Sequence, residues 1–410
     1  MKKSKQALAV IALAAAVMST LAHGQALNYP LPTPEQQAIV DKDTSRWFGD
    51  APVDAGPLAT DLSPALEPAA IDKALRKVAD WQLARSQPHW DRIWTSSVMY
   101  SGFIAASEAT GDPKYRRAMG EMAKHFDFQN RDRLPNADDV SIGQTYLDLY
   151  FADGSRSQSM INKTRQDLDE LLPLKTIKPN DARVPWWWCD ALFMAPPVWA
   201  KMYKATGDRK YLDYIHQQWK VTSDLLYDKE EHLYARDASY INKREPNGKK
   251  MFWSRGEGWV MGGIARTLDY IPKDDPRHGF YVQQLREMAT KVASLQDENG
   301  MWHAGLLDPK TYPLPEVSGS SLFVYAMAYG INRGYLDAKT FRPVIARAWT
   351  GILKNVYADG RLGNIQQTGA EPAFYRPGSS YNYGVGGFML AASELKALVT
   401  AEANAKAVAK

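Results

Sequence analysis

The chain has almost none of the residues that build covalent or metal-stapled folds. Cys189 is its only cysteine. That excludes an intramolecular disulfide and a cysteine-based metal site, so packing must stabilise the protein. Histidines are few. His89, His125, His216, His232, His278 and His303 show no metal-ligand spacing, and we expect no metal. No glycine-rich phosphate loop follows a strand, and no serine or cysteine nucleophile signature is present, so we expect no nucleotide cofactor. Val/Ile/Thr-rich alternating runs are scarce and short, which argues against a sheet protein.

Charge of one sign is lacking too. The formal net charge is +4, and three of those charges, Lys2, Lys3 and Lys5, sit at the extreme N-terminus. The remaining balance of about +1 carries no basic run, which argues against a nucleic-acid partner. Long apolar runs are missing beyond Ala7–Met18. That run is too short for a comfortable membrane span but suits the core of a signal peptide. Small residues at Ala22, Gly24 and Ala26 place cleavage near residues 24–26. The expectation is a signal peptide over 1–25, an N-terminal extension over 26–66, a catalytic domain over 67–400 and a tail over 401–410. The mature form is expected to be exported to the periplasm or beyond, with no membrane segment.

What the chain has in abundance is helical periodicity. Apolar residues at 71, 75, 78, 79, 81 and 83 follow one-face helical spacing. Short turns with Gly, Asp or Pro separate such stretches. One turn recurs: Glu108-Ala109-Thr110-Gly111-Asp112-Pro113-Lys114-Tyr115 reappears as Lys204-Ala205-Thr206-Gly207-Asp208-Arg209-Lys210-Tyr211, with an echo at Arg333–Asp337. It reads as a helix end, a Gly cap, an Asp cap and the next helix, the Tyr packing back near that helix's start. About twelve helices are expected, starting near 67, 92, 113, 139, 156, 187, 209, 255, 276, 319, 338 and 383. An open stack would need polar capping repeats at both ends. None is visible, so six helical hairpins predict a closed, all-α (α/α)6 barrel. Chemistry belongs in the irregular, aromatic-rich loops at one end.

Three segments stand out. In Trp186-Trp187-Trp188-Cys189-Asp190 a carboxylate follows three tryptophans at a helix start. An N-cap role is the ordinary reading of such an Asp. Aromatic walls would also desolvate the carboxyl and raise its pKa towards that of a general acid. In Trp253-Ser254-Arg255-Gly256-Glu257-Gly258-Trp259, Arg255 suits bidentate recognition of a sugar carboxylate, with Trp253 and Trp259 shaping a pocket. Arg255 paired with an internal acid is the alternative. In Asn136-Ala137-Asp138-Asp139 the paired acids could simply favour a helix start. Tyr383, in a Gly-rich junction, is a further cleft candidate.

In this order these pieces resemble glycoside hydrolase family 105, the unsaturated rhamnogalacturonyl hydrolases, and its relative family 88. The matching segments are Asp-Asp-Val-Ser-Ile-Gly-Gln-Thr-Tyr (138–146), Trp-Cys-Asp-Ala-Leu-Phe-Met-Ala (188–195), Trp-Ser-Arg-Gly-Glu-Gly-Trp-Val (253–260), Glu-Val-Ser-Gly-Ser-Ser (316–321), Gln-Gln-Thr-Gly (366–369) and Tyr-Gly-Val-Gly-Gly-Phe (383–388). The resemblance implies an exo-acting hydrolase on lyase-cut, anionic oligosaccharides of the pectin type. Such an enzyme hydrates the C4=C5 double bond of a terminal unsaturated uronate. It further implies Asp190 as general acid/base, Asp139 as supporting acid, Arg255 on the uronate carboxylate, and Trp188, Trp253, Trp259 and Tyr383 around the substrate. Two positions depart from the family pattern. Arg236 stands where a His is common and Glu257 where an Asn is common, both placed towards the leaving sugar. A polysaccharide lyase on a similar barrel, a non-catalytic binding protein and a sugar epimerase are the rival readings. Only a hydrolase would consume the enoate absorbance.

Overall fold

The computed structural model describes residues 55–87, 89–133, 136–173 and 186–408. The expected signal peptide and the extension up to residue 54 lie outside the described residues. Among the described residues, twelve helices of ten residues or more carry the fold: α1 (Pro68–Ser86), α2 (Trp94–Thr110), α3 (Pro113–His125), α4 (Gly143–Ala152), α5 (Asn162–Leu171), α6 (Pro196–Thr206), α7 (Lys210–Leu226), α8 (Ser254–Leu268), α9 (His278–Ser294), α10 (Val317–Asn332), α11 (Ala338–Leu353) and α12 (Asn382–Val408). A two-residue hairpin, β1 (Tyr227–Asp228) with β2 (Leu233–Tyr234), is the one sheet among the described residues.

The even-numbered helices close a ring. Each of α2, α4, α6, α8, α10 and α12 packs on the next, and α12 returns to α2. The odd-numbered helices lie outside, α1 against α2 and α12, α3 against α2 and α4, α9 against α8 and α10. Composition explains the sorting. Every residue of α10 from Val317 to Gly330 is buried, as an all-round apolar inner helix requires. Outer α3 buries only Tyr115, Ala118, Met119, Met122 and Ala123, a single stripe. This is the six-hairpin barrel expected from the turn repeat.

Inner helices approach closely where glycine allows it. A Cβ on Gly386 of α12 would lie 2.6 Å from the Val98 carbonyl oxygen of α2. That explains the Gly-rich start of α12, the helix that closes the ring. The expectation that no later segment could cross a membrane needs correction. α12 is long and apolar enough by length and composition, but it is mostly buried as an inner barrel helix. It also continues to Val408, through most of the expected tail.

The repeated turn forms as read. Gly111 and Gly207 adopt φ of 67° and 75°, and the Asp112 and Asp208 carboxylates accept from Lys114 N and Lys210 N. Each tyrosine ring lies at the start of its own helix, 4.9 Å from the Lys114 or Lys210 Nζ, and its hydroxyl also reaches across: Tyr115 donates to Asp80 of α1 at 2.6 Å, and Tyr211 to Asp169 of α5 at 2.9 Å. Each copy thus ties an outer helix to the preceding outer helix.

The inner helices begin at one mouth of the barrel, where the irregular loops gather. At the opposite mouth a cavity of about 420 Å³ opens between their C-terminal halves, lined by Glu108, Asp148, Lys201, Arg266, Asp269 and Arg333 among others.

Candidate active site

Asp190 starts a helical turn, Ala191–Met194, but its side chain makes no capping hydrogen bond. The N-cap reading therefore fails. Trp188 forms a bridge with Asp237, and Cys189 N donates to the Arg236 carbonyl at 2.9 Å. The chain is thus clamped so that Asp190 lies beside Arg236. Only 8% of Asp190 is exposed. Cys189 Sγ lies 3.4 Å from its Oδ2 and Arg236 Nε 3.7 Å. Burial pushes the carboxyl's pKa up; the Arg236 charge, the Cys189 contact and Arg255 oppose this without cancelling it. The group holds its proton longer than an ordinary aspartate.

The second acid is a correction. The turn Ala137–Val140 packs against Ala191–Met194, but the residue it presents to Asp190 is Asp138, not Asp139. Asp139 is fully buried and occupied by Arg133, through the backbone N at 2.9 Å and Nη2 at 2.7 Å. Asp138 is half-buried. Burial, then the negative charges of Asp190 and Asp139, push its pKa up to about 7. Two adjacent carboxyls, one spent on a loop and one left to titrate, cannot be told apart by sequence position.

The two arginines differ in exposure. Arg255 is 0% exposed. Its Nη1 donates to Gln366 O and its Nη2 to Gln367 O, both at 2.7 Å, and Glu316 Oε1 lies 3.9 Å away. The guanidinium is sandwiched between Trp253 and Tyr383, 4.3 and 4.9 Å from the ring centroids. It holds the 366–367 loop rather than facing a ligand. Arg236 is the partly exposed cation beside Asp190. Its Nη1 pairs with Asp237 at 2.6 Å, and it lies over the half-buried Trp187 ring.

The expected aromatic wall divides by burial. Trp259 is 0% exposed and packs on Phe193, Trp94 and Tyr383. Trp253 donates its Nε1 to Gln366 Oε1 at 2.8 Å, and Tyr383 Oη donates to Gln366 O at 2.5 Å. Trp188 is buried against Trp187. These rings support the pocket floor, while half-buried Trp187 and Trp94 are the more open ones. Gln366, a residue of the Gln-Gln-Thr-Gly segment without an assigned role, is the hub. Its backbone N also donates to Glu316 Oε1 at 3.1 Å. Glu257 is buried and accepts from Tyr234 N at 2.8 Å. Burial holds its carboxyl well above the usual range, and Asp190 adds to that. It pins β2, and with it the strand leading to Arg236, to α8. Among the described residues no cluster of three His, Cys, Asp or Glu could hold a metal ion.

The arrangement is a desolvated carboxyl raised by burial, with a second raised carboxyl and a partly exposed guanidinium beside it. This constellation suits proton delivery to an anionic substrate. A relative from Formosa agariphila, described as an unsaturated 3S-rhamnoglycuronyl hydrolase, is 37% identical over 341 residues, 79% of this chain and 90% of the relative. A solved glycosyl hydrolase family 88 structure from Bacteroides vulgatus superposes with a TM-score of 0.75 at 30% identity, over 81% of this chain and 99% of its own. Another solved structure, described as a polysaccharide lyase, gives a TM-score of 0.74 at 29% identity, over 81% and 98%. The Glycosyl Hydrolase Family 88 profile matches residues 70–399, and with that span covering nearly the whole barrel the chain belongs to glycoside hydrolase family 88.

Proposed function

We propose that this protein removes a terminal 4,5-unsaturated uronic acid from lyase-generated, anionic oligosaccharides by hydrating the double bond. The observation that carries the reading is Asp190, a buried carboxyl that makes no capping hydrogen bond, is pushed above its ordinary pKa by burial and lies beside Arg236. Asp190 donates its proton to C4, and positive charge develops at C5, where the ring oxygen shares it. Water adds to C5 and gives a proton back to the Asp190 carboxylate. The C5 hemiketal then opens, leaving an acyclic hemiacetal at C1 that expels the neighbouring sugar. Arg236 pairs with the uronate carboxylate, and Trp187 lies under the ring. Asp138, whose pKa burial and the charge of Asp190 push up to about 7, stands beside it as a second, later-ionising carboxyl. The ordinary glycosidase pair, with one carboxylate attacking or activating water at C1, is not required. The description of the Formosa relative supports rhamnose as the neighbouring sugar.

The likeness to a structure described as a polysaccharide lyase supports a second reading, bond cleavage by elimination. One assay separates them. Incubated with lyase-digested rhamnogalacturonan or a related lyase-cut polymer, the hydrolase consumes near-ultraviolet enoate absorbance. On uncut polymer a lyase would create it. Export is the further proposal, supported by the basic and apolar residues 2–18. N-terminal sequencing of protein recovered from the periplasm should begin just after residues 24–26.

A further inference from the structure

The helical turn that carries Asp190 has a donor problem. In a continuous helix, Leu192 and Phe193 carbonyls would accept from the N–H groups of residues 196 and 197. Those residues are Pro196 and Pro197, which have no N–H. Val198 N turns instead to Ala195 O at 2.8 Å. The carbonyls of Leu192 and Phe193 lose their helical donors to the prolines and Met194 loses its own to the Val198 turn, and a buried orphan carbonyl is costly.

Gln144 supplies what the prolines remove. It lies on the first turn of α4 and is 1% exposed. Its Nε2 donates to Phe193 O at 2.9 Å and to Met194 O at 3.1 Å. Its Oε1 accepts from Arg266 Nε of α8 at 2.6 Å. With carbonyls on one side and a guanidinium on the other, only one orientation of the amide satisfies both. Arg266 is braced in turn. Its Nη2 lies 3.8 Å from Asp148, which holds Lys201 at 2.6 Å, and it crosses the Phe193 ring at 5.7 Å. Three inner helices, α4, α6 and α8, therefore meet on the turn that begins at Asp190.

We propose that Gln144 is a positioning residue for the reaction, standing in for the backbone donors absent at Pro196 and Pro197 and fixing the angle at which Asp190 enters the pocket. The inference rests on Asp190 as the proton donor. It gives the Gln of the Asp-Asp-Val-Ser-Ile-Gly-Gln segment a role away from the substrate. A reacting group displaced by about 1 Å can cost about 10²-fold in rate, while substrate contacts made by Arg236 and Trp187 stay in place.

The test uses the full chain and a lyase-cut oligosaccharide. Wild-type protein must first consume the enoate; if it does not, the functional reading fails before the variants are compared. Gln144→Met keeps the volume and removes the donor. The expected result is a loss of kcat of roughly 10- to 100-fold with KM changed less than about threefold and a near-native far-ultraviolet spectrum. Adding Pro197→Ala to that background restores a backbone N–H within reach of Phe193 O, and should recover part of kcat. Gln144→Glu, equal in size and still able to accept from Arg266, serves if the methionine variant does not fold. A kcat within threefold of wild type in either variant overturns the proposal. So does a parallel loss in kcat and KM that Pro197→Ala leaves unrepaired.

Discussion

Replacing Asp190 by Asn tests the site through two quantities that should move in opposite directions. The substitution keeps the shape of the side chain and removes its transferable proton. A positioned general acid contributes about 10²- to 10⁴-fold, so kcat should fall by that range. Stability should not fall with it. Burial holds the Asp190 carboxyl above its ordinary value in spite of Arg236. As pH rises from the unfolded value towards the folded one, the unfolded chain ionises first, and the native state is progressively disfavoured. Each unit of that upward displacement costs the wild type about 1.4 kcal/mol once pH exceeds the folded value. Asn carries no such cost. The variant should therefore melt at or above the wild-type temperature at pH 8, with the difference shrinking as pH falls towards 4. Enoate consumption measures the first quantity and thermal unfolding at several pH values the second. Turnover within tenfold of wild type in a folded Asp190→Asn protein would refute the assignment. A variant less stable than wild type at pH 8 would refute the claim that burial raises this carboxyl above its ordinary value.

Asp138→Asn removes the carboxyl whose pKa is pushed up to about 7 beside Asp190, so a limb of the pH–rate profile near that pH should disappear; an unchanged profile would separate the two acids. Arg236→Ala should raise KM about 10- to 100-fold, the weight of a lost charged hydrogen bond. It should also shift the alkaline limb upwards, because Arg236 favours the ionised Asp190. Arg255→Ala leaves the Gln367 carbonyl without this donor and removes the buried cation beside the Glu316 carboxylate, which then keeps only its Ser318, Gly319 and Gln366 donors. It should cost about 3–5 kcal/mol in denaturant unfolding. A rise in KM with unchanged stability would instead restore the carboxylate-binding role that the sequence suggests.

The barrel was readable because its signals are local. A Gly in left-handed conformation followed by an Asp cap marks each repeated turn, and all-round apolar stretches mark the inner helices. Asp190 was readable from its tryptophan setting. Which neighbour meets which partner was not. Asp138 and Asp139 differ by one position, and the choice depends on how residues 131–133 fold back so that Arg133 reaches Asp139. Arg255 looked free because its acceptors, the carbonyls of Gln366 and Gln367, lie more than a hundred residues away in sequence. Arg236 drew attention only as a departure from a family pattern, whereas its place beside Asp190 comes from the clamp between residues 188–189 and 236–237. Helix α12 runs past the expected end because its Ala- and Lys-rich final turns contain no breaker.

The central claim is that a carboxyl proton is delivered to an alkene carbon rather than to a glycosidic oxygen. Running the reaction in D₂O and recording the NMR spectrum of the released uronate tests it directly. Delivery by a fixed Asp190 predicts one deuterium at C4, on a single face, in step with release of the neighbouring sugar. Deuterium scattered over both C4 positions, or sugar released before any label enters C4, would contradict it.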